Sequence, residues 1–200
     1  MKRKRTKPDS TKQPVDRSLG LEAAAPWRVF ECLVASEWRD TTRLTEIVIS
    51  KEPPFGGVVS CTFLVDLGCL GLKQGFVSQF RTKREYEDVF RAMMLARIPM
   101  SATAYPLTVK IIRESVRHAR ELGFTPSHHA QRALSALGPL DVADECPEVI
   151  SVGGPDGRPY CVAGPDDDVD HIVATLIRKC GAGNFSFTAP LGTIPPGFFD

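Results

Sequence analysis

The stretch Val58–Phe80, VVSCTFLVDLGCLGLKQGFVSQF, decides the fold of this 200-residue chain. Val58–Leu67 is β-branched and nearly continuous in apolar side chains, which marks a central strand covered on both faces. Gly68 and Gly71 then punctuate a turn, and Lys73–Phe80 resumes as a fourth strand. Upstream, Arg28–Val34 (RVFECLV) alternates apolar and polar side chains. So does Arg43–Lys51 (RLTEIVISK), with Leu44, Glu46 and Val48 against Thr45, Ile47 and Ile49. Pro53-Pro54-Phe55-Gly56-Gly57 supplies a turn between the second run and the third. Successive runs with period two and short connections predict an antiparallel meander.

The period then changes. Residues 83–96 (KREYEDVFRAMMLA) read as a helix whose stripe Tyr86, Val89, Phe90, Met93 and Met94 is expected in the core. Ser101–Tyr105 connects it to a second helix, Pro106–Leu122. There Pro106 sits in the first turn, Val109, Ile112, Val116 and Ala119 share a face, and Gly123 is the expected cap. A short helix, Ser127–Leu137, ends at Gly138-Pro139. Residues 147–163 (PEVISVGGPDGRPYCVA) predict a hairpin around Gly-Gly-Pro-Asp-Gly. The last helix opens on Asp166, Asp167 and Asp168, which suit its N-terminus. It buries Val169, Ile172, Val173, Leu176, Ile177 and Cys180, and closes at Gly181. Asn184–Phe187 adds a final strand. Strands followed by helices, with too few β–α alternations for a doubly wound sheet, give the α+β class: an N-terminal antiparallel meander packed with two to three helices, then hairpin, helix and strand.

Composition draws the boundaries. Residues 1–26 carry seven Lys/Arg against three acids and read as a disordered basic tail. Residues 27–189 form a single domain, and 190–200 an irregular C-terminal tail. The remainder of the chain holds 18 basic and 21 acidic residues, so its body is not a basic nucleic-acid-binding face. In the tail, Lys2, Arg3, Lys4, Arg5 and Lys7 are the candidates for a phosphate or RNA contact; a plain solubilising extension is the simpler reading, because basic runs are common and unspecific. No apolar run reaches membrane-spanning length and no apolar segment follows the charged start, so a cytoplasmic location is expected. The six cysteines are then expected as thiols, and without a C-x-x-C pair they suggest neither a zinc ribbon nor a redox motif.

One place crowds reactive groups. Asp66, Cys69 and Lys73 lie within eight residues, and a lysine beside a thiol favours a thiolate nucleophile. His128, or its neighbour His129, is the candidate base. The structural alternative has Asp66 receiving turn N–H groups, Cys69 packed, and Lys73 paired with Asp66. Gly68, Gly71 and Gly75 permit positive φ, or the close approach of another backbone or a ligand, though they form neither a Walker loop nor a dinucleotide fingerprint. A phosphate or nucleotide on this turn is a third reading. His128-His129 lacks metalloprotease spacing, and the run of aspartates lacks the glycine and distant glutamate of an EF-hand, so no metal and no cofactor is expected.

Four pieces together carry a resemblance: FLVDLGCLGLKQGF (Phe63–Phe76), VRHARELGFTPSHHAQRA (Val116–Ala133), CPEVISVGGPDGRPYCVAGPDDD (Cys146–Asp168) and GAGNFSF (Gly181–Phe187). In order and spacing they resemble a bacterial family of conserved hypothetical proteins with an FLVDxxCLGxK motif, an LGFxPH helix end and a C-terminal GNF strand. Asp66, Cys69, Gly71 and Lys73 match its first motif and His128 its second, while Gln74 stands where its pattern has an acid. The resemblance implies no activity, substrate or cofactor. With no complete catalytic set in the sequence, the leading expectation is a cytosolic, non-enzymatic module binding a protein or RNA partner. The rival is a small hydrolase or transferase with its site at the end of the 58–67 strand.

Overall fold

The computed structural model describes residues 24–188. The candidate nucleic-acid contacts Lys2, Arg3, Lys4, Arg5 and Lys7 lie outside them, as does the tail 190–200. Four strands, β1 (Arg28–Ala35), β2 (Leu44–Glu52), β3 (Val58–Asp66) and β4 (Gly71–Phe80), form the meander, each antiparallel to the next. A three-residue strand, β5 (Met100–Ala102), pairs with β1, giving the order β4-β3-β2-β1-β5. The register sets Ile47 against Phe63 and Ile49 against both Cys61 and Cys32, so the alternating apolar residues share one face.

That face carries the main core. The helix α2 (Tyr105–Leu122) lays Val109, Ile112 and Val116 on it, and α3 (His128–Ser135) adds Ala130 and Ala133. Gly123 closes α2 at φ 95°, where a side chain would be strained. A 3₁₀ segment, Leu140–Glu145, follows α3. Among the described residues no helix is long and apolar enough to cross a membrane.

The opposite face is only half covered. Lys83–Glu85, Tyr86–Arg91 and Ala92–Arg97 run on as one helix, α1, with a π-type middle. Its wider turn sets Tyr86, Phe90 and Met94, four residues apart, toward the sheet, where they meet Phe80, Leu33 and Val48. Val89 and Met93, expected in the core stripe, are instead 63% and 56% exposed. The Tyr86 hydroxyl donates to Glu31 at 2.9 Å, and the same carboxylate takes Arg91 at 2.9 Å.

The C-terminal third departs from the expected hairpin. The Gly-Gly-Pro-Asp-Gly turn forms, with the Gly157 N–H on the Gly154 carbonyl at 2.9 Å and the Gly154 N–H on the Arg158 carbonyl at 2.5 Å, but its arms form no strand ladder with each other. The N–H of Gly153 goes to the Leu67 carbonyl at 2.9 Å and that of Tyr160 to the Gly68 carbonyl at 3.0 Å. Backbone groups must find partners, and here the β3–β4 turn supplies them. The strand β6 (Tyr160–Val162) then pairs in parallel with β7 (Ser186–Thr188) across the helix α4 (Val169–Cys180), the crossover a parallel pair requires. At the start of α4 only Asp168 caps, accepting the His171 N–H at 3.0 Å, and Ile177, expected inside, is exposed.

Candidate functional site

Asp66 ends β3 fully buried. Its Oδ1 accepts the N–H groups of Gly68 and Cys69 at 2.9 and 3.1 Å, and its Oδ2 that of Leu70 at 3.0 Å. Burial raises its carboxyl to about 6, against the opposing pull of those three donors and of Lys73. The carboxylate thus builds the turn and has no free face for substrate.

Cys69 has no exposed surface. A hydrogen bond with the Cys161 thiol, together with burial and the charges of neighbouring groups, pushes its pKa far up, the reverse of what a nucleophile needs. Lys73 does not pair with Asp66. Its ammonium goes to Asp167 and to the Val162 carbonyl, the latter at 2.9 Å, and the Asp167 carboxylate also takes the Gly164 N–H at 2.6 Å. Lys73 is the extra residue of a β-bulge, since Leu64 faces Gln74 and Val65 faces Leu72, and the bulge turns it toward the C-terminal segment.

The structure therefore brings Asp66, Cys69 and Lys73 together as a joint. His128 stands exposed on the first turn of α3 with its ring 6.0 Å from that of His129. The histidine at the turn is His118 of α2, whose Nε2 lies 3.3 Å from the Gly68 carbonyl and whose pKa burial lowers. The glycines serve close approach by protein. At Gly71 (φ 69°) a Cβ would stand 2.6 Å from the Ala119 Cβ, and at Gly75 it would stand 2.8 Å from that of Ala133. At Gly68 it would collide with the carbonyls of Tyr160 and Thr41. Backbone and helix fill the space that a phosphate on this turn would need. Among the described residues no group of three or more His, Cys, Asp or Glu is placed to hold a metal ion.

Two features went unpredicted. Lys51 is 2% exposed, and its ammonium donates to the carbonyls of Ala24, Ala25, Ala136 and Leu137 at 2.9–3.4 Å. It ties Ala24 and Ala25, which composition assigns to the tail, into the domain. The alternation of β2 held the signal, because Lys51 is in phase with Ile47 and Ile49. The second feature is the open half of the sheet beside α1. A groove of about 500 Å³ runs along Leu44, Glu46, Leu64, Ile98 and Pro99. A second, of about 330 Å³, adjoins it along Thr62, Leu64, Gln74, Phe76 and Phe90. The Arg97–Glu46 ion pair lies between them, and Phe76 is 58% exposed on the rim. Compared with protein-family models, with curated proteins and with solved structures, the chain finds no match in any of the three.

Proposed function

We propose that this chain is a non-enzymatic binding module that engages a protein partner on the open half of its sheet. The observation that carries this reading is the contrast between two places. At the β3–β4 turn every reactive side chain is consumed by folding, with Asp66 on backbone N–H groups, Cys69 sealed and Lys73 held by Asp167. On the open face, apolar side chains that could have been covered are left lining two adjoining grooves.

A protein suits this face better than RNA. The arginines on this face are already paired, Arg43 with Glu37 and Asp40, and Arg97 with Glu46. An RNA platform calls for free cations and a series of stacking aromatics. Under this reading the motif residues Asp66, Gly71 and Lys73, which carry the resemblance to the bacterial family, hold the fold.

Affinity capture with the wild-type chain and with Phe76→Glu tests the proposal. Phe76 points to solvent, so the variant is expected to keep its melting temperature and lose the protein partner recovered by wild type. An identical set of recovered proteins, or micromolar binding of unstructured RNA in a filter assay, overturns it.

A further inference from the structure

We infer that the outer edge of β4 accepts an extended, acidic peptide as a sixth strand of the sheet. The inference rests on the binding-module reading and names the mode and chemistry of the partner.

The first ground is the edge itself. Of the two sheet edges, β5 is only three residues long, whereas β4 runs for ten. The bulge at Lys73 and its bond to Val162 close the start of β4. Gln74–Phe80 then continues without a proline or a charged side chain, the devices that usually blunt an edge. Among the described residues no backbone hydrogen bond reaches this stretch from outside the β3–β4 ladder. Its outward N–H and C=O groups therefore form a template for another strand.

The second ground is the helix beside it. Gly75 lets α3 sit directly on β4, with Ala130 and Ala133 against the strand. That contact places exposed His129 and Arg132 along Gly75–Val77, across a cleft of about 160 Å³. A terminal strand with a helix alongside is the arrangement by which strand addition takes its peptide: backbone bonds supply affinity and flanking side chains supply selectivity.

The third ground is charge. The chain has no Asp or Glu from Gly71 to Arg84, nor from Leu122 to Leu140, so both walls of the cleft lack acids. On the cleft wall, Arg132 makes no ion pair among the described residues. The remainder of the chain beyond residue 26 is net acidic, so the basic character at Arg132 is local. A carboxylate-bearing strand complements it. A second copy joined β4 to β4 would bring two α3 helices and their Arg132 side chains together across the seam, so like charges disfavour that occupant.

Three labelled seven-residue peptides test the inference by fluorescence anisotropy: alternating valine and glutamate, its lysine counterpart, and the glutamate peptide N-methylated at alternate backbone amides. The glutamate peptide is expected to bind at least about ten-fold more tightly than the other two, a difference of about 1.4 kcal/mol. It is also expected to slow amide exchange in Gln74–Phe80, and Arg132→Glu is expected to reverse the charge preference. Equal binding of the glutamate and lysine peptides, no loss on N-methylation, or unchanged exchange in β4 overturns strand addition. A concentration-dependent dimer that excludes the peptide, or tighter binding of a ribo-oligonucleotide, overturns it as well. Capture separates this inference from the module reading. Loss of the partner with Phe76→Glu but not with Arg132→Glu retires the edge alone, whereas capture unchanged by both retires the module.

Discussion

The ammonium of Lys73 binds the carboxylate of Asp167, 94 residues further along the chain, and so ties the start of β4 to the loop before α4. The pair is shielded, with side-chain exposures of 8% and 24%, and the Val162 carbonyl and Gly164 N–H complete it. Asp167→Asn is expected to destabilise the fold by about 1–3 kcal/mol in urea denaturation, because a shielded ammonium loses its counter-charge. Adding Lys73→Met should cost less than the sum of the two changes. Strict additivity would mean that the tie contributes nothing.

Asp66 gives a pH signature. Its carboxyl is raised from 3.8 to about 6, so between those values the folded chain holds a proton that the unfolded chain releases. Its contribution to stability is therefore full below 3.8 and is lost as pH rises through about 6. Subtracting the stability profile of Asp66→Asn from that of wild type should leave a decline across this window. A rise there would show that the three turn N–H groups outweigh burial. At any pH the asparagine leaves one donor short of an acceptor, at a cost of about 1–3 kcal/mol.

Lys51→Met removes the donor from four carbonyls gathered at the end of α3 and at Ala24 and Ala25. A loss of about 2–4 kcal/mol is expected, since the carbonyls of Ala25, Ala136 and Leu137 lose this donor and Ala24 keeps only the Trp27 N–H. Amide exchange at Trp27, which bonds to the Ala24 carbonyl, should quicken with it. A neutral result would mean that apolar packing replaces the ammonium.

Thiol reactivity follows burial. Cys180 alone among the six cysteines is not buried. Burial lifts Cys32 and Cys61 to about 12. Iodoacetamide at pH 8 should label Cys180 first, and Cys69 only as the fold opens, followed by peptide mass spectrometry. Rapid labelling of Cys69 would restore the nucleophile reading.

Gly75→Ala introduces a methyl group 2.8 Å from the Ala133 Cβ and 2.9 Å from the Ala130 Cα. Backbone and a short side chain cannot swing aside, so a loss of about 1–3 kcal/mol is expected. Gly71→Ala should cost more, since the strain of φ 69° adds to its contact with Ala119. Equal melting temperatures for wild type and Gly75→Ala would mean that α3 yields without cost.

Local order was legible in the sequence. Period two gave the meander, Gly123 closed α2 as its chemistry requires, and Asp168, one of the three expected aspartates, caps its helix. Choices settled by distant partners were not. The arms around Gly153–Gly157 have hairpin chemistry, yet Leu67 and Gly68 offered them carbonyls, so the strand at Tyr160 found Ser186. The histidine at the turn is His118 rather than His128, because helix packing on Gly71 sets who arrives there. Val89 and Met93 matched a helical stripe that the π turn of α1 rotates into solvent.

The close seat of Tyr160 over Gly68 also imposes an order on assembly. The meander joins neighbours along the chain and can form as soon as β4 leaves the ribosome. The parallel pair β6–β7 spans a helix, and its first strand leans on carbonyls that exist in place only once the β3–β4 turn has closed. The segment from Tyr160 to Thr188 is therefore expected to exchange its amides before the meander does, and equal protection of the two would show that they open together.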